Sequence, residues 1–336
     1  MNAPRVAFVT DAGGEAGLGH FKRCAALARA LAARGCAVDA LVSGPRDADL
    51  GAVAPGLAVT PLEWWGAPGR VLDAVAGRGV AAFVVDSYHA DDRLLAALRS
   101  AGVVVAIDDL ADRPLAVDVV VNGAWHAERL AYRVEPRMRL LLGPRYALLD
   151  RAFAEAPARR IADRVERVIV TLGGSTPAAE TSAAVAAVRA ALPAARLDVL
   201  GGLVAPASTA EPGVMRHAAV PSLRPLLLAA DLAVTAGGMT LYECLATATP
   251  TVAVCLADNQ RPNLEHLGAA GLVVPAEFAT LADTVARVAP DRALRERLSG
   301  AGRSAVDGGG SERAADEIAR LLVGRRAGAR PAGVAR

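Results

Sequence analysis

The sequence predicts an α/β protein built from two doubly wound, Rossmann-like domains. Short apolar runs without period-two alternation recur along the chain, and Ala- and Leu-rich segments of helical length separate them. Such runs are typical of strands buried on both faces of a parallel sheet. The 336 residues exceed one ordinary core, and a chain of this length suits two domains.

The domain boundaries follow from where this alternation stops and restarts. We expect an N-terminal domain over residues 1–152, a charged Ala- and Pro-rich connector over 153–165, and a C-terminal domain over 166–324. The Arg- and Gly-rich segment 325–336 is predicted to be a disordered tail.

In the first half, β-branched runs predict strands, and Asp91 is placed to cap the helix that follows it. The strands are expected at residues 6–10, 37–43, 57–60, 82–86, 103–108 and 117–122, and the helices at 21–34, 70–76 and 91–101. In the second half, the same criteria predict strands at 168–172, 197–200, 232–235 and 251–255, and helices at 178–191, 225–229, 241–247, 281–289, 292–301 and 312–322.

Composition excludes several classes of function. A net charge of +2 with interspersed acids and bases gives no reason to expect a nucleic-acid partner. The cysteines at 24, 36, 244 and 255 lack C-x-x-C spacing and a nearby His cluster, so we expect buried thiols and no metal site. No signal peptide is recognised, and no apolar run approaches the ~20 residues that span a bilayer. We therefore expect a cytoplasmic protein without an integral membrane segment or a cofactor.

The glycine-rich stretch between the first strand and the first helix is the best candidate for a ligand site. Gly14, Gly17 and Gly19 allow a sharp turn, and the start of the helix offers free N–H groups to an anionic or polar ligand. His20 lies where the helix begins and is the best catalytic candidate. Two alternatives stay open: a purely structural turn, and a dinucleotide site. The latter is disfavoured because the glycines run G-x-x-G-x-G and Asp39 is poorly placed for a ribose.

Polar residues follow four of the predicted N-terminal strands. These are Asp11, the Asp86-Ser87-Tyr88-His89 segment, Asp108-Asp109 and Asn122. Ligands of parallel sheets gather at the carboxyl ends of strands. Helix capping alone does not account for four such strand ends.

Several motifs resemble those of the PseG/SpsG family of nucleotide-sugar enzymes. Gly17-Leu-Gly-His20-Phe-Lys-Arg23 is similar to the family's G-x-G-H-x-x-R motif. Further similarity lies in segments 107–114, 142–149, 173–174, 237–243 and 256–262, in the family's order. The resemblance implies the GT-B fold of MurG-type glycosyltransferases and a UDP-sugar hydrolase. The substrate would be a UDP-linked 2,4-diacetamido-2,4,6-trideoxy sugar, cleaved without a metal, with inversion, in pseudaminic or nonulosonic acid synthesis.

The resemblance also implies roles for individual residues. His20 would position or deprotonate the attacking water, and Glu243 would hold the ribose hydroxyls. The residues implied to bind substrate or nucleotide are Gly17, Gly19, Arg23, Asp86, Tyr88, Gly173, Gly174, Ser175, Gly237, Gly238, Thr240, Tyr242, Glu243, Asn259 and Gln260. The expected partners are the UDP-sugar substrate and the UDP product, with the protein acting as a monomer.

The match departs from the family's hydrolases at the C-terminal loop. That loop reads Gly-Gly-Met-Thr-Leu-Tyr-Glu at 237–243, where the hydrolases usually read Gly-Gly-Ser-Thr-Thr-Trp-Glu, so the sugar itself stays open. A glycosyltransferase that moves a nucleotide-linked sugar to an acceptor in surface glycan synthesis is the alternative. A catalytically idle nucleotide-sugar-binding protein is a second one, against which the intact His20 counts.

Overall fold

The computed structural model describes residues 3–14, 17–45, 50–174, 176–201, 211–217, 220–256 and 258–328. It contains two parallel sheets with helices on their faces, which is the two-domain α/β architecture expected from the sequence.

The N-terminal domain is organised around a seven-stranded parallel sheet. Its strands run Arg5–Asp11 (β1), Ala37–Ser43 (β2), Ala58–Pro61 (β3), Val80–Asp86 (β4), Val103–Ile107 (β5), Val119–Asn122 (β6) and Arg139–Leu142 (β7), in the order β3-β2-β1-β4-β5-β6-β7. Its helices are Gly19–Ala32 (α1), Leu50–Val53 (α2), Gly69–Val75 (α3) and Asp92–Ala101 (α4). Alternate residues of β1 face opposite cores: Val6 and Phe8 pack with α1, whereas Ala7 and Val9 pack on the other side.

The C-terminal domain has a six-stranded parallel sheet. Its strands are Arg167–Thr171 (β8), Arg196–Leu200 (β9), Val214–His217 (β10), Leu232–Ala236 (β11), Thr251–Val254 (β12) and Val274–Ala276 (β13), in the order β10-β9-β8-β11-β12-β13. The helices are Ala178–Ala191 (α5), Arg224–Ala229 (α6), Met239–Ala246 (α7), Arg261–Ala269 (α8), Leu281–Val288 (α9), Arg292–Ala305 (α10) and Gly310–Gly328 (α11).

The last helix differs from the prediction in both length and position. Residues 325–328, expected in a disordered tail, continue α11, and residues 329–336 lie outside the described ranges. The helix packs against the N-terminal domain instead of the C-terminal one, because Ala314, Ala315, Ile318 and Leu322 form an apolar stripe at helical spacing and join the core of α1. The expected end of the C-terminal domain at 324 therefore lies within a helix of the N-terminal domain.

The chain consequently passes between the domains twice, and the two passages are in contact. The Ser311 hydroxyl donates a 2.7 Å hydrogen bond to the carbonyl of Leu149. Glycine is required where they touch: a Cβ on Gly310 would lie 2.2 Å from the carbonyl oxygen of Ala147. Gly308 has φ +80, and a Cβ there would lie 2.5 Å from the amide nitrogen of Ala154.

Several short elements are absent from the prediction. They are β7, β10, β13, α2 and α8. The strands among them are three or four residues long and lie at sheet edges, where burial imposes little apolar pattern. Among the described residues, no helix combines the length and hydropathy needed to cross a bilayer.

Candidate active site

The first glycine loop turns the chain sharply between β1 and α1. The N–H of Gly13 donates to the carbonyl of Gly17 at 2.8 Å, and the N–H of Gly17 donates to that of Gly14 at 3.2 Å. Positive φ angles of 82, 53 and 62° at Gly13, Gly14 and Gly17 make this turn possible. The helix then begins at Gly19 without a side-chain cap, because Leu18 occupies the N-cap position. Its first N–H groups are therefore open to a ligand in the cleft.

His20 lies at the mouth of this turn and is 8% exposed. Its Nδ1 is 3.3 Å from Oδ1 of Asp86 at the end of β4. This contact does not have hydrogen-bond geometry, and Nδ1 is therefore a buried nitrogen without a hydrogen-bond partner. The ring of Tyr88 meets the imidazole edge-on, with centroids 4.8 Å apart. These contacts fix the plane of the imidazole and leave Nε2 as the nitrogen available to a ligand.

Arg23 lies one turn further along α1 and binds two carboxylates. Its Nε and Nη2 donate to Asp86 at 2.6 and 2.7 Å, and its Nη1 and Nη2 donate to Asp109 at 2.9 and 2.8 Å. Asp86 has no exposed surface and Arg23 is 7% exposed. Four donated hydrogen bonds occupy most of the guanidinium. Direct contact of Asp86 with a substrate therefore does not fit this geometry, and Arg23 serves chiefly to hold the two carboxylates.

Asp109 and Tyr88 form the open side of this cluster. Burial raises the pKa of Asp109, but the charge of Arg23 outweighs it and holds that pKa below the ordinary value. The Tyr88 hydroxyl donates to Asp109 at 3.2 Å, and the side chain is 53% exposed. Burial of the hydroxyl and the negative charge of Asp109 raise the pKa of Tyr88. The phenol is therefore a neutral hydrogen-bonding group facing the cleft.

A second wall beside His20 contains a residue that the sequence analysis did not single out. The Trp65 Nε1 donates to Oδ1 of Asp11 at 2.8 Å, and its ring lies 4.0 Å from that of His89. Burial raises the pKa of Asp11. Trp65 lies in the turn between β3 and α3, and its side chain is 43% exposed. The only sequence signal for Trp65 is that two tryptophans are adjacent, and this signal is ambiguous because Trp64 is a core residue.

The glycine loops of the C-terminal domain face the first loop across the cleft. Gly173 has φ +114, and a Cβ added to Gly174 would be in ordinary van der Waals contact with Leu18 of the first loop, at 3.7 Å. At Gly237 a Cβ would lie 2.9 Å from Leu264, whereas at Gly238 it would meet nothing within 4 Å. The backbone at Gly238 is therefore open to a ligand at the start of α7.

Gln260 holds two segments of this domain together. Its Oε1 accepts from the N–H of Gly237 at 3.2 Å and from that of Leu256 at 3.3 Å. The side chain also lines the cleft. It therefore sets the shape of the Gly237–Gly238 loop as well as facing a ligand.

Glu243, in the second turn of α7, has a carboxyl with a strongly raised pKa that faces the cleft. Burial raises its pKa to about 7, although the positive charge of Lys22 on α1 opposes the shift. The side chain keeps partial solvent exposure and lines the cavity beside Gly238 and Thr240. An unpaired carboxyl of this kind is suited to accept hydrogen bonds from ligand hydroxyls.

Tyr242, which was expected to contact the nucleotide, lines the larger cavity, but its hydroxyl is bound to protein groups. It is 4% exposed, and its hydroxyl donates to Oδ1 of Asn263 at 2.8 Å while accepting from the N–H of Trp125 at 2.7 Å. Trp125 belongs to the N-terminal domain, so this hydroxyl joins the two domains. His126, whose pKa burial lowers, lies 3.3 Å from the same Asn263 oxygen.

Two adjoining cavities occupy the cleft. The larger, about 590 Å³, has His20, Tyr88 and Asp109 on one side and Gly237, Gly238 and Gln260 on the other. The smaller, about 320 Å³, lies between α1 and the loops of Gly173, Gly174 and Thr240. His20 therefore faces one compartment, and Glu243 faces the next.

The expected site residues thus come together, with a few exceptions. Those lining the cleft are Gly17, Gly19, His20, Arg23, Tyr88, Gly173, Gly174, Gly237, Gly238, Thr240, Tyr242, Glu243 and Gln260. Asn259 lies in the turn Asp258–Gln260, and Ser175 falls outside the described residues. Asn122 ends β6, as expected, and its amide donates a hydrogen bond to the Tyr132 hydroxyl at 2.9 Å. Within the described ranges, no group of three His, Cys, Asp or Glu residues is arranged to hold a metal ion.

Comparison with characterised sequences gives two partial matches. No family model matches the chain. The spore coat polysaccharide biosynthesis protein SpsG of Bacillus subtilis is 27% identical over 212 residues, which are 57% of this chain and 62% of that protein. A zeaxanthin glucosyltransferase of Pseudescherichia vulneris is 38% identical over 100 residues, 28% of this chain and 24% of the enzyme. The matches thus span less than two thirds of each relative's length.

Solved structures match nearly the whole chain. The glycotransferase of kitacinnamycin superposes with a TM-score of 0.68 at 22% identity, covering 95% of this chain and 99% of the other. MurG of Acinetobacter baumannii gives 0.63 at 15%, covering 94% and 100%. MnaA of S. aureus, solved with UDP, gives 0.67 at 11%, covering 95% and 97%. With its two parallel α/β domains and these neighbours, the chain has the glycosyltransferase-like GT-B fold, as its sequence motifs implied.

Proposed function

We propose that the protein is a nucleotide-sugar hydrolase that releases UDP and a free 2,4-diacetamido-2,4,6-trideoxy sugar. The observation that carries this proposal is the position of His20. Its imidazole lies between a carboxylate–guanidinium cluster and a cavity of about 590 Å³ whose far wall is the Gly237–Gly238 loop. A base on one side of a cleft and open backbone N–H groups on the other suit displacement of a nucleotide by water.

In the proposed reaction, water attacks the anomeric carbon from the side of His20. The bond from the water oxygen to the anomeric carbon forms as the bond from that carbon to the β-phosphate oxygen breaks. The proton of the water passes to Nε2 of His20, because Nδ1 faces Asp86. The electron pair of the broken bond leaves with UDP. Attack opposite to the leaving group inverts the anomeric carbon.

Asp86 and Arg23 would act on His20 without touching the substrate. The Asp86 carboxylate is held by two hydrogen bonds from Arg23 and lies 3.3 Å from Nδ1. A buried negative charge at this distance stabilises the imidazolium that forms during proton transfer. Asp109, bound to the same guanidinium, orients Tyr88 toward the sugar.

The C-terminal loops would hold the departing nucleotide. Open backbone N–H groups at Gly238 and the first turn of α7, with the Thr240 hydroxyl, face the region where the diphosphate would lie. Preorganised donors of this kind stabilise charge that develops in the transition state. Glu243 would accept hydrogen bonds from the ribose. The four cysteines, all among the described residues, form no disulfide, which fits a reaction in the reducing cytoplasm.

Transfer to an acceptor is the second candidate, and one observation favours it. Trp65 and Tyr88 are exposed beside the larger cavity, and aromatic faces of this kind can seat the ring of an acceptor. Hydrolysis needs no such platform, whereas a transferase does.

Proton NMR of the purified protein with UDP-2,4-diacetamido-2,4,6-trideoxyaltrose, run beside UDP-GlcNAc, tests both candidates. Release of UDP and free sugar without an acceptor supports hydrolysis, and the anomer first formed reports the stereochemistry. UDP binding without cleavage until an acceptor is added would replace hydrolysis by transfer. A protein that binds neither nucleotide sugar would overturn the proposal.

A further inference from the structure

We propose that Lys22 binds the diphosphate of the nucleotide sugar from the N-terminal side of the cleft and stabilises the UDP that departs. This inference rests on the proposed function and adds a catalytic residue to it. Lys22 would supply, from α1, the positive charge that the loops of the C-terminal domain do not contain.

The position of Lys22 on α1 places it opposite those loops. Gly19, Lys22 and Arg23 are spaced at three and four residues and therefore share one face of the helix. That face lines the smaller cavity, whose other wall contains Gly174 and Thr240. Lys22 is partly exposed there, with a side chain long enough to reach a ligand between the walls.

The other cations of the same cavity are already paired. Arg23 forms salt bridges to Asp86 and Asp109, and Arg29 lies 3.3 Å from Asp150. Lys22 forms no salt bridge with any residue in the described part of the chain. A diphosphate in this cavity would thus meet the ammonium group of Lys22, which no carboxylate of the described residues pairs with. Binding it would not require a salt bridge of the protein to break.

The composition of the chain gives an independent observation. Lys22 is the only lysine among 37 basic residues, and every other one is arginine. Apart from histidines, the basic residues of the surface salt bridges, of the helix ends and of the buried ion pairs are all arginines. A compact ammonium on a flexible stem differs from a planar guanidinium because it can follow a charge that moves during bond cleavage.

Lys22 and Glu243 line the same cavity from opposite domains. Lys22 acts on the carboxyl of Glu243, whose pKa it lowers against the effect of burial. Glu243 is the residue proposed to hold the ribose, so in the proposed site the ammonium would lie near the ribose, in the cavity that Gly174 and Thr240 also line. As the electron pair of the broken bond moves onto the β-phosphate oxygen, Lys22 would donate a hydrogen bond to that oxygen and keep its proton.

The single lysine permits a direct test by NMR. Reductive methylation with ¹³C-formaldehyde labels Lys22 and the α-amino group alone. We expect UDP, but not uridine, to shift the dimethyl-lysine signal. Loss of the signal in Lys22→Met assigns it. An unshifted signal at saturating UDP would overturn the proposal.

Affinity and turnover measurements supply the second test. Lys22→Met, which keeps the length of the side chain, is expected to weaken UDP binding about 10- to 100-fold and to lower kcat, while uridine affinity stays within about twofold. Lys22→Arg should recover part of the loss. Arg78→Met, which removes the same charge from a side chain that is 46% exposed and lines neither cavity, is the matched control and should bind UDP like the wild type.

The outcomes separate this inference from the proposed function. If the wild-type protein hydrolyses the nucleotide sugar and Lys22→Met does so equally well, Lys22 is excluded and the function stands. If the affinities for UDP and for uridine fall together in Lys22→Met, the residue acts through the shape of the site and the proposal fails. If the wild type binds no nucleoside diphosphate, the proposed function and the role of Lys22 fail together.

Discussion

Nδ1 of His20 lies 3.3 Å from Oδ1 of Asp86, across the point where the N-terminal sheet reverses its strand order between β1 and β4. Connections on the two sides of this point leave in opposite directions, which opens a crevice at the carboxyl ends of the strands. The helix of His20 follows β1, and Asp86 ends β4. The pairing of base and carboxylate is thus a direct product of the sheet topology.

Replacing His20 by Ala should lower turnover by about 10²–10⁴-fold, because the water loses the group that accepts its proton. UDP affinity should stay nearly unchanged, since the proposed contacts of the nucleotide with Lys22 and the C-terminal loops remain. Steady-state kinetics and calorimetry check the two parts. His217→Ala, a histidine paired with Asp198 at 2.8 Å in the C-terminal domain, is the control. Wild-type turnover in His20→Ala would remove His20 from the mechanism.

Arg23→Met should destabilise the protein by about 3–5 kcal/mol, because it leaves the carboxylate of Asp86 buried without its partner. Denaturation in urea measures the change in the free energy of unfolding. Arg29→Met, whose salt bridge to Asp150 joins side chains that are 42% and 38% exposed, should cost no more than about 1 kcal/mol. Equal losses in the two variants would contradict a structural role for Arg23.

Glu243→Ala should weaken UDP binding by about 1–3 kcal/mol, because the ribose hydroxyls lose their acceptor. The decrease in affinity from UDP to dUDP should be smaller in the variant than in the wild type. Calorimetry with both nucleotides measures it. An unchanged UDP affinity would reject the contact between Glu243 and the ribose.

The stability of the protein should depend on pH through the same side chain. The folded state raises the pKa of Glu243 to about 7 from an ordinary 4.5, so the folded protein binds the proton more tightly than the unfolded chain. The contribution of Glu243 to the free energy of unfolding is fully present below pH 4.5 and is lost as the pH rises toward 7 and through it. Glu243→Gln should therefore stabilise the protein by about 1–3 kcal/mol at pH 8 and change little near pH 4. Equal effects at both values in urea denaturation would contradict this assignment.

Ile318→Ala in α11 should cost about 2–5 kcal/mol, because the side chain is completely buried against the N-terminal domain. Val323→Ala on the same helix removes a side chain that is 69% exposed and should be nearly neutral. Thermal unfolding of both variants measures the contrast. A neutral Ile318→Ala would argue against the docking of α11 on that domain.

The fold was largely predictable from the sequence, because buried parallel strands impose long apolar runs. The strand at 37–43 and the helix at 178–191 agree with the structure residue for residue. What the sequence could not predict was where the last helix docks. The apolar stripe of Ala314 and Ile318 predicts that the helix buries this face, but a helical pattern does not name the domain against which the face packs.

The candidate site was predictable where backbone conformation demands glycine and where polar groups follow strands. Side-chain partners were not, since they depend on contacts between residues far apart in sequence. Arg23 and Tyr242 were expected to touch the ligand; both line the cleft, but their polar groups also bind Asp86 and Asn263, which the sequence did not indicate. Trp65 was missed because an exposed aromatic in a loop carries no periodic signal.

The two passages of the chain between the domains restrict how the cleft can open. A single connector would leave the domains free to bend and to twist about it. Here a second strand of backbone lies against the first, joined by Ser311 and Leu149 and without room for a Cβ at Gly310. Twisting would shear these contacts, whereas rotation about an axis through them would not. Opening of the cleft is therefore expected to follow rotation about this contact, which would move His20 away from Glu243 and leave the hydrogen bond between Ser311 and Leu149 intact.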